Sequence, residues 1–353
     1  MTPPTRRVVY NALPLDARGG GVSTYIRELL AAMTEVAGAT GIELAAAVRP
    51  SGRAELPPGV TPLIKRESDG VARALTGAMG FGPCALVHGL DVDLPLRRRG
   101  LSVCTVHDMA IFDVPSTFPR TRVAGERILM RHAIRRADAV VADSAFTAGR
   151  IRALLGREAT VIHLAPGTGM APPSVETVDE VRSRYGLPDQ FVLHVGNIEP
   201  RKDIPTLAEA CRLTPLPLVL TGHSLWGHQP PAGAIEIGHV PVDDLPGLYG
   251  SATLVGYASR YEGFGLPPIE AMACGAPVVT TPVPAVTELV GDGAELFTPG
   301  DVGGLTGTLR RLVGDPSQRA ELARRGAERV RPLSWRRTAE ETASLYRSLG
   351  LDL

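Results

Sequence analysis

Leu254-Val255-Gly256-Tyr257-Ala258-Ser259-Arg260-Tyr261-Glu262-Gly263-Phe264-Gly265-Leu266-Pro267-Pro268-Ile269-Glu270-Ala271-Met272-Ala273-Cys274-Gly275 is the stretch on which the fold turns. Leu254–Tyr257 reads as a buried strand, Arg260–Gly265 as a Gly-rich loop at its carboxyl end, and the residues from Leu266 onward as a helix. Pro267 and Pro268 suit a helix's first turn, where a missing N–H costs little. Glu270 is expected in that same turn, beside the positive end of the helix dipole. Strand, loop and helix in this order form the repeating unit of a parallel α/β sheet, which gathers its ligands at the carboxyl ends of the strands.

The same alternation runs along the whole chain. In the first half, strands are expected at Arg7–Leu13, Glu43–Val48, Ala85–His88, Val103–His107, Ala139–Ala142 and Thr160–Leu164. In the second half they are expected at Phe191–Val195, Pro217–Leu220, Ile235–Ile237, Leu254–Tyr257 and Pro277–Thr280. Continuous apolar strands separated by helical patterns indicate parallel sheets covered on both faces. Ala165–Ser174, rich in Pro and Gly, breaks the series. Two Rossmann-like domains follow, at 1–168 and 175–335, facing across a cleft, with 336–353 a C-terminal helix packing back on the first.

Composition narrows the classes. A chain of 353 residues fits two domains, and 44% apolar residues supply material for two cores. Lys+Arg and Asp+Glu are both 37, so the chain has no basic excess of the kind that coats nucleic acid. Cys84, Cys104, Cys211 and Cys274 lie far apart without a CxxC pair and read as free thiols in a reducing compartment. No run of about 18 apolar residues suggests a spanning helix, and the N-terminus lacks the pattern of a signal peptide. A cytoplasmic enzyme is the expectation. Only Lys65 and Lys202 are lysines, which draws attention to both.

Several residues can carry chemistry. Gly19-Gly20-Gly21 precedes a helix, where glycine allows close approach of an anion to free N–H groups. It is not the dinucleotide fingerprint, because Thr24 stands where GxGxxG needs its third glycine. A flexible strand–helix turn is the plain alternative. An ionised carboxylate only accepts hydrogen bonds, so Glu270 suits a vicinal pair of ribose hydroxyls. Glu262 can address another part of the same ligand, and the amides of Gly263 to Leu266 can donate to phosphate or sugar oxygens. The plain alternative leaves Glu270 stabilising its helix and Glu262 solvated. Asp91-Val92-Asp93 is formally a DxD element but reads as a loop, and the eight histidines show no metal-site spacing. Arg120, Arg122, Arg127, Arg131, Arg135 and Arg136 read as a solvated helix face, with contact to anionic lipid or a phosphorylated acceptor as the alternative.

Glu262-x7-Glu270 within SRYEGFGLPPIEAMACGAPVV resembles the signature of the retaining GT-B glycosyltransferases of family four, particularly a bacterial mannosyltransferase-like branch. The likeness extends to RGGGVSTYIREL, CTVHDMAIFDVPSTFP, FVLHVGNIEPRKDIPTL, LVLTGHSLWG, IGHVPVDDLPGLYGSA and LSWRRTAEETASLYRSL. It implies transfer of a hexose from a nucleotide-diphospho-sugar, GDP-mannose or a UDP-sugar, to a glycan, lipid-linked or small-molecule hydroxyl. It further implies that no metal or other cofactor is required. By this resemblance Arg201 and Lys202 meet the donor diphosphate together with Gly20, Gly21, Gly265 and Leu266. Glu262, His107, Gly263, Phe264 and Gly265 meet the transferred sugar. Glu270, His239, Val240 and Asn197 meet the nucleoside. The catalytic set is Glu262, His107, Lys202 and Arg201. Asn197 stands where many relatives carry a basic residue, which shifts weight onto Arg201 and Lys202. Two other classes compete: a sugar-nucleotide epimerase or phosphorylase on the same paired domains, and a non-catalytic two-domain binding protein. Neither lysine sits in a pyridoxal context. Peripheral contact with the inner membrane face is a further expectation, and the sequence leaves the oligomeric state open.

Overall fold

The computed structural model describes residues 6–16, 19–38, 40–68, 76–96 and 100–351. The chain divides into two compact units, Met1–Leu164 with Ser334–Leu353, and Ala165–Leu333.

The first unit holds a seven-stranded sheet: β1 (Arg7–Asn11), β2 (Glu43–Val48), β3 (Thr61–Ile64), β4 (Leu86–Gly89), β5 (Leu101–Val106), β6 (Ala139–Ala142) and β7 (Thr160–Val161). Their order is β3-β2-β1-β4-β5-β6-β7, with every neighbouring pair parallel. The second unit holds six: β8 (Val192–Val195), β9 (Leu218–Thr221), β10 (Ile235–Glu236), β11 (Leu254–Tyr257), β12 (Val278–Thr280) and β13 (Ala294–Leu296). Their order is β10-β9-β8-β11-β12-β13, again all parallel. In each sheet the chain winds outward from one central strand and then restarts on its other side. The switch points therefore fall between β1 and β4 and between β8 and β11, where such folds bind ligands.

Two strands escape the sequence pattern, and both are edges. β3 contains Pro62 opposite Ala46, which an edge strand tolerates because one side of its backbone has no partner to bond. β13 spans only Ala294–Leu296 and is half-exposed at its end. The interior strands β4, β9 and β11 are buried along their full lengths, as parallel strands under helices must be.

The chain returns to the first unit at Ser334, not past 335, because Ser334 caps the last helix by accepting from the Arg337 amide. Along that helix (Trp335–Ser348), Trp335, Thr338, Ala339, Thr342, Ala343 and Tyr346 fall on one buried face and pack on the helix Gly21–Ala37. A buried polar chain ties it to the sheet. Tyr346 Oη shares a 2.5 Å hydrogen bond with His88 Nδ1, His88 Nε2 lies 2.8 Å from Thr105 Oγ1, and Thr105 Oγ1 lies 2.8 Å from Tyr25 Oη. Burial pushes His88 down to about 3, so it stays neutral in this chain. Tyr346→Phe should cost about 1–3 kcal/mol, because His88 keeps a buried nitrogen without its partner. Urea unfolding of the variant beside the native chain measures the loss, and an unchanged midpoint would mean that this contact adds nothing.

Candidate active site

Two loops at the switch point of the second sheet build a cluster of paired charges. After β8 the chain makes a short 3-10 turn, Pro200–Lys202, and Asp203 takes a left-handed conformation with φ 45°. After β11 it runs through Ser259–Glu262, and the Arg260 amide donates to the Arg201 carbonyl at 2.8 Å, stitching the loops together. Gly265, at φ 96°, starts the helix Leu266–Ala273. A Cβ there would lie 2.8 Å from Val286 Cγ2, so neither the turn nor the packing admits a side chain.

Glu262 is the centre. Its Oε1 accepts from Lys202 Nζ at 2.5 Å and from Ser259 Oγ at 2.6 Å, and its Oε2 accepts from Arg201 Nη1 at 3.1 Å. Arg201 Nη2 also pairs with Glu199 Oε1 at 2.9 Å, and Arg260 pairs with Asp203 Oδ2 at 2.8 Å. Three cations thus face three carboxylates. Glu199, Lys202 and Glu262 are all buried. Burial opposes the charge on Glu262, but the Lys202 ammonium, the Arg201 guanidinium and the hydrogen bonds of Lys202 and Ser259 hold its carboxyl at about 2. The pair's stabilisation is therefore complete above the ordinary carboxylate value of 4.5 and fades only as pH falls toward about 2.

Beneath the cluster His194 is buried, with Nδ1 donating to the Gly256 carbonyl at 3.0 Å. Burial lowers its pKa to about 4, and nearby Lys202 adds to that shift. Glu270 is buried too, with Tyr249 Oη donating to its Oε2 at 3.4 Å. It is not in the first turn of its helix. The helix starts at Leu266, directly after the left-handed Gly265, which moves Glu270 to the fifth position and past the reach of the first-turn amides. Gly263, Phe264 and Leu266 are buried along the loop. In the neighbouring loops Asn197 Oδ1 accepts from the His223 amide at 3.4 Å, and the His223 and His239 rings stack with centroids 5.4 Å apart, beside buried Val240.

In the first unit, Gly20 has φ 102° and Gly21 opens the helix Gly21–Ala37. A Cβ on Gly20 would meet nothing within 4 Å, so its dihedral, not its space, asks for glycine. His107 is fully engaged, with Nδ1 2.6 Å from Asp143 Oδ2, Nε2 2.8 Å from the Leu90 carbonyl and the Tyr25 ring edge-on at 4.8 Å. Asp91-Val92-Asp93 lies in the turn after β4. Of the basic helix Arg120–Arg136, Arg122 pairs with Glu126, Arg127 donates to the Ile111 carbonyl, and Arg127 and Arg131 lie over the Phe112 ring. Among the described residues no group of three or more His, Cys, Asp or Glu side chains is placed to hold a metal ion, and no helix is long and apolar enough to cross a membrane.

Glu199, Asp203, Ser259, His223 and Asp143 are site residues that sequence reading did not single out. The first two flank Arg201-Lys202 in an alternating Glu-Pro-Arg-Lys-Asp run, a pattern that can point to internal ion pairing. Asp143 had a fainter signal, an acid ending an apolar strand as His107 ends another.

Comparison with known proteins gives the class to which this fold and its charged switch point belong. Residues 178–329 match the family model described as glycosyl transferases group 1. The chain is 32% identical over 284 residues to O-antigen chain mannosyltransferase B of Escherichia coli, covering 75% of this chain and 74% of that one. Sucrose-phosphate synthase of Thermosynechococcus elongatus superposes with TM-score 0.80 at 22% identity, over 97% of this chain and 98% of that one. Anabaena HepE in complex with UDP and glucose does so with TM-score 0.76 at 19% identity, over 98% and 100%. The chain belongs to the group 1 glycosyl transferases and has the GT-B fold.

A buried ion pair is strongly coupled: losing one partner strands the other, at about 3–5 kcal/mol. Lys202→Met and Glu262→Gln should each destabilise the second unit, while the double variant should lose clearly less than the sum. A thermodynamic cycle from denaturant unfolding measures this, and strict additivity would contradict the pairing.

Proposed function

We propose that this glycosyltransferase moves a hexose from a nucleotide-diphospho-sugar to a hydroxyl of a glycan, lipid-linked or small-molecule acceptor. The anomeric configuration is retained and no metal is needed. The observation that carries this reading is the cluster of half-buried Arg201 with buried Lys202 and Glu262 at the second switch point, which holds two fixed cations and an acceptor-only carboxylate within one hydrogen-bonded unit. Mannose, from GDP-mannose, is the first candidate because the O-antigen relative is a mannosyltransferase; the HepE complex, with UDP and glucose, keeps UDP-sugars in view.

In the proposed reaction the bond between C1 of the sugar and the β-phosphate oxygen breaks, and its electron pair stays on that oxygen. The acceptor hydroxyl bonds to C1 on the same face and passes its proton to the departing phosphate oxygen. Negative charge grows on the diphosphate as positive charge grows on the sugar ring. Arg201 and Lys202 are already held in place, so stabilising the leaving group requires little reorganisation. Arg supplies a planar fork and Lys a compact charge. Glu262 accepts from sugar hydroxyls and lies near the developing ring charge. Glu270 takes the ribose, while Val240, His239 and Asn197 meet the nucleoside. Gly263, Phe264, Gly265 and Leu266 line the donor through their backbone, and Gly20, Gly21 and His107 of the first unit are assigned to the donor as well.

We place the reaction in the cytoplasm, in keeping with four cysteines that lie far apart without a CxxC pair. Any peripheral contact with an anionic membrane face would run through the helix Arg120–Arg136, where Ile128 stands 67% exposed with Arg131 and Arg135 exposed on the same face.

A panel of nucleotide sugars assayed in EDTA, with the product anomer read by NMR, tests the reading. Retained configuration in EDTA is expected. Inversion, dependence on a divalent ion, release of an epimerised nucleotide sugar, or binding without turnover would each overturn it. The two carboxylates separate further. Ribose is present in donor and product alike, so Glu270→Gln should raise donor KM and weaken free nucleotide similarly. Glu262→Gln should lower kcat by roughly a hundredfold, equivalent to about 2.7 kcal/mol of transition-state stabilisation, with little effect on a nucleotide lacking the sugar. The opposite split would reverse their roles.

A further inference from the structure

Leu90, His107 and Asp143 are each the first residue beyond a strand, after β4, β5 and β6, and these strands lie side by side in the first sheet. One imidazole joins all three ends. His107 Nδ1 faces Asp143 Oδ2 at 2.6 Å, and Nε2 faces the Leu90 carbonyl at 2.8 Å. A carboxylate oxygen and a main-chain carbonyl are both acceptors, so each ring nitrogen needs a hydrogen to make its contact. A neutral imidazole carries one and would leave lone pair against lone pair in the other contact. Asp143 is 1% exposed, and its Oδ1 has no hydrogen-bond partner among the described residues, which leaves His107 as the strong contact of that carboxylate.

From this geometry we infer that His107 is a standing imidazolium, kept charged by Asp143 as a positioning residue. It clamps three strand ends and serves the donor as a fixed positive charge, not as a proton acceptor. The service to the donor rests on the proposed role of His107; the charge itself does not.

The surroundings agree. Burial disfavours the charge, but the Asp143 carboxylate, the nearby Asp91 and the Leu90 carbonyl together hold the ring's pKa up at about 9. Of the other titratable groups close by, His88 is buried and neutral, and Tyr25, whose ring stands T-shaped to the imidazole, is pushed up by burial. Asp108 turns away to accept from the Ala110 amide at 2.8 Å. Asp91 thereby gains a role as a remote charge in a loop that also presents the Leu90 carbonyl. Val92 in that loop has φ 48°, costly for a β-branched residue, so the surrounding structure holds the loop in one conformation.

A folded pKa above the ordinary 6.5 gives stabilisation that is complete below 6.5 and lost as pH rises through about 9.

The experiment is ring-15N NMR of the full chain from pH 5.5 to 10, with Asp143→Asn and Asp91→Asn beside the native protein and kcat followed over the same range. Native His107 should show two protonated nitrogens at pH 7 and titrate near 9. Its ring pKa should fall by about one to three units in Asp143→Asn and by less in Asp91→Asn. Native kcat should show no histidine ionisation between pH 6 and 8, whereas Asp143→Asn should lose kcat as its lowered ring pKa is crossed. A native ring that titrates near 6.5, or that holds one proton at pH 7 beside a protonated Asp143, would overturn the inference even if Asp143→Asn failed to fold. A ring charged at pH 8 in a chain that turns over no nucleotide sugar would overturn the donor role while upholding the imidazolium.

Discussion

The buried contact between Lys202 and Glu262 ties together the two loops at the switch point of the second sheet. Two ions removed from water are tolerable only if each satisfies the other and the remaining valences are filled. Ser259 Oγ and Arg201 fill them, and Glu199 balances Arg201 in turn. The requirement propagates outward. Lys202 and Glu262 must arrive from two different strands, so the loops after β8 and β11 must be adjacent. Adjacency of those strands, eighth and eleventh in the chain, is what a doubly wound sheet supplies at its switch point. Gly265 then turns the chain sharply enough to leave Glu262 in the loop and Glu270 on the helix.

The first unit meets the same problem with different residues. There a polar cluster sits one residue past the ends of adjacent parallel strands, and one side chain, His107, closes the row through Asp143 and Leu90. Below it a wholly buried chain of Tyr25, Thr105, His88 and Tyr346 carries hydrogen bonds from the helix Gly21–Ala37 to the C-terminal helix. The last helix therefore secures the interior beneath His107, which gives a physical reason for the chain to return to its first unit. In both places fixed charges are held by neighbours before any ligand arrives, the arrangement that electrostatic catalysis needs.

The sequence revealed those parts of this design that depend on local pattern. Leu254–Tyr257, Glu43–Val48 and Ala139–Ala142 are strands at the bounds their apolar runs suggest, because buried parallel strands need continuous hydrophobicity. Thr61–Ile64 and Ala294–Leu296 were not legible, since an edge strand can be short or carry proline and takes its identity from its neighbour. Glu270 lies at the fifth helical position, just past the expected first turn, because the prolines mark a helix's beginning only to within a residue or two. Among the site residues, Glu262, Arg201 and Lys202 stood out by motif. Glu199, Ser259 and Asp143 did not, because each takes its role from the charged or polar partner that the folded loops bring to it, and no periodic pattern marks such a partner in one sequence.

The central claim is that the cations paired with Glu262 are the seat of the donor's diphosphate. Calorimetric titration of nucleoside diphosphates and the matching monophosphates, into the native chain and into Lys202→Met, addresses it directly because the two ligands differ only in the group in question. The native chain should bind the diphosphate more tightly than the monophosphate. Most of that difference should vanish in Lys202→Met, with monophosphate affinity nearly unchanged. An undiminished preference for the diphosphate in Lys202→Met would contradict the claim and place the phosphate site elsewhere in the chain.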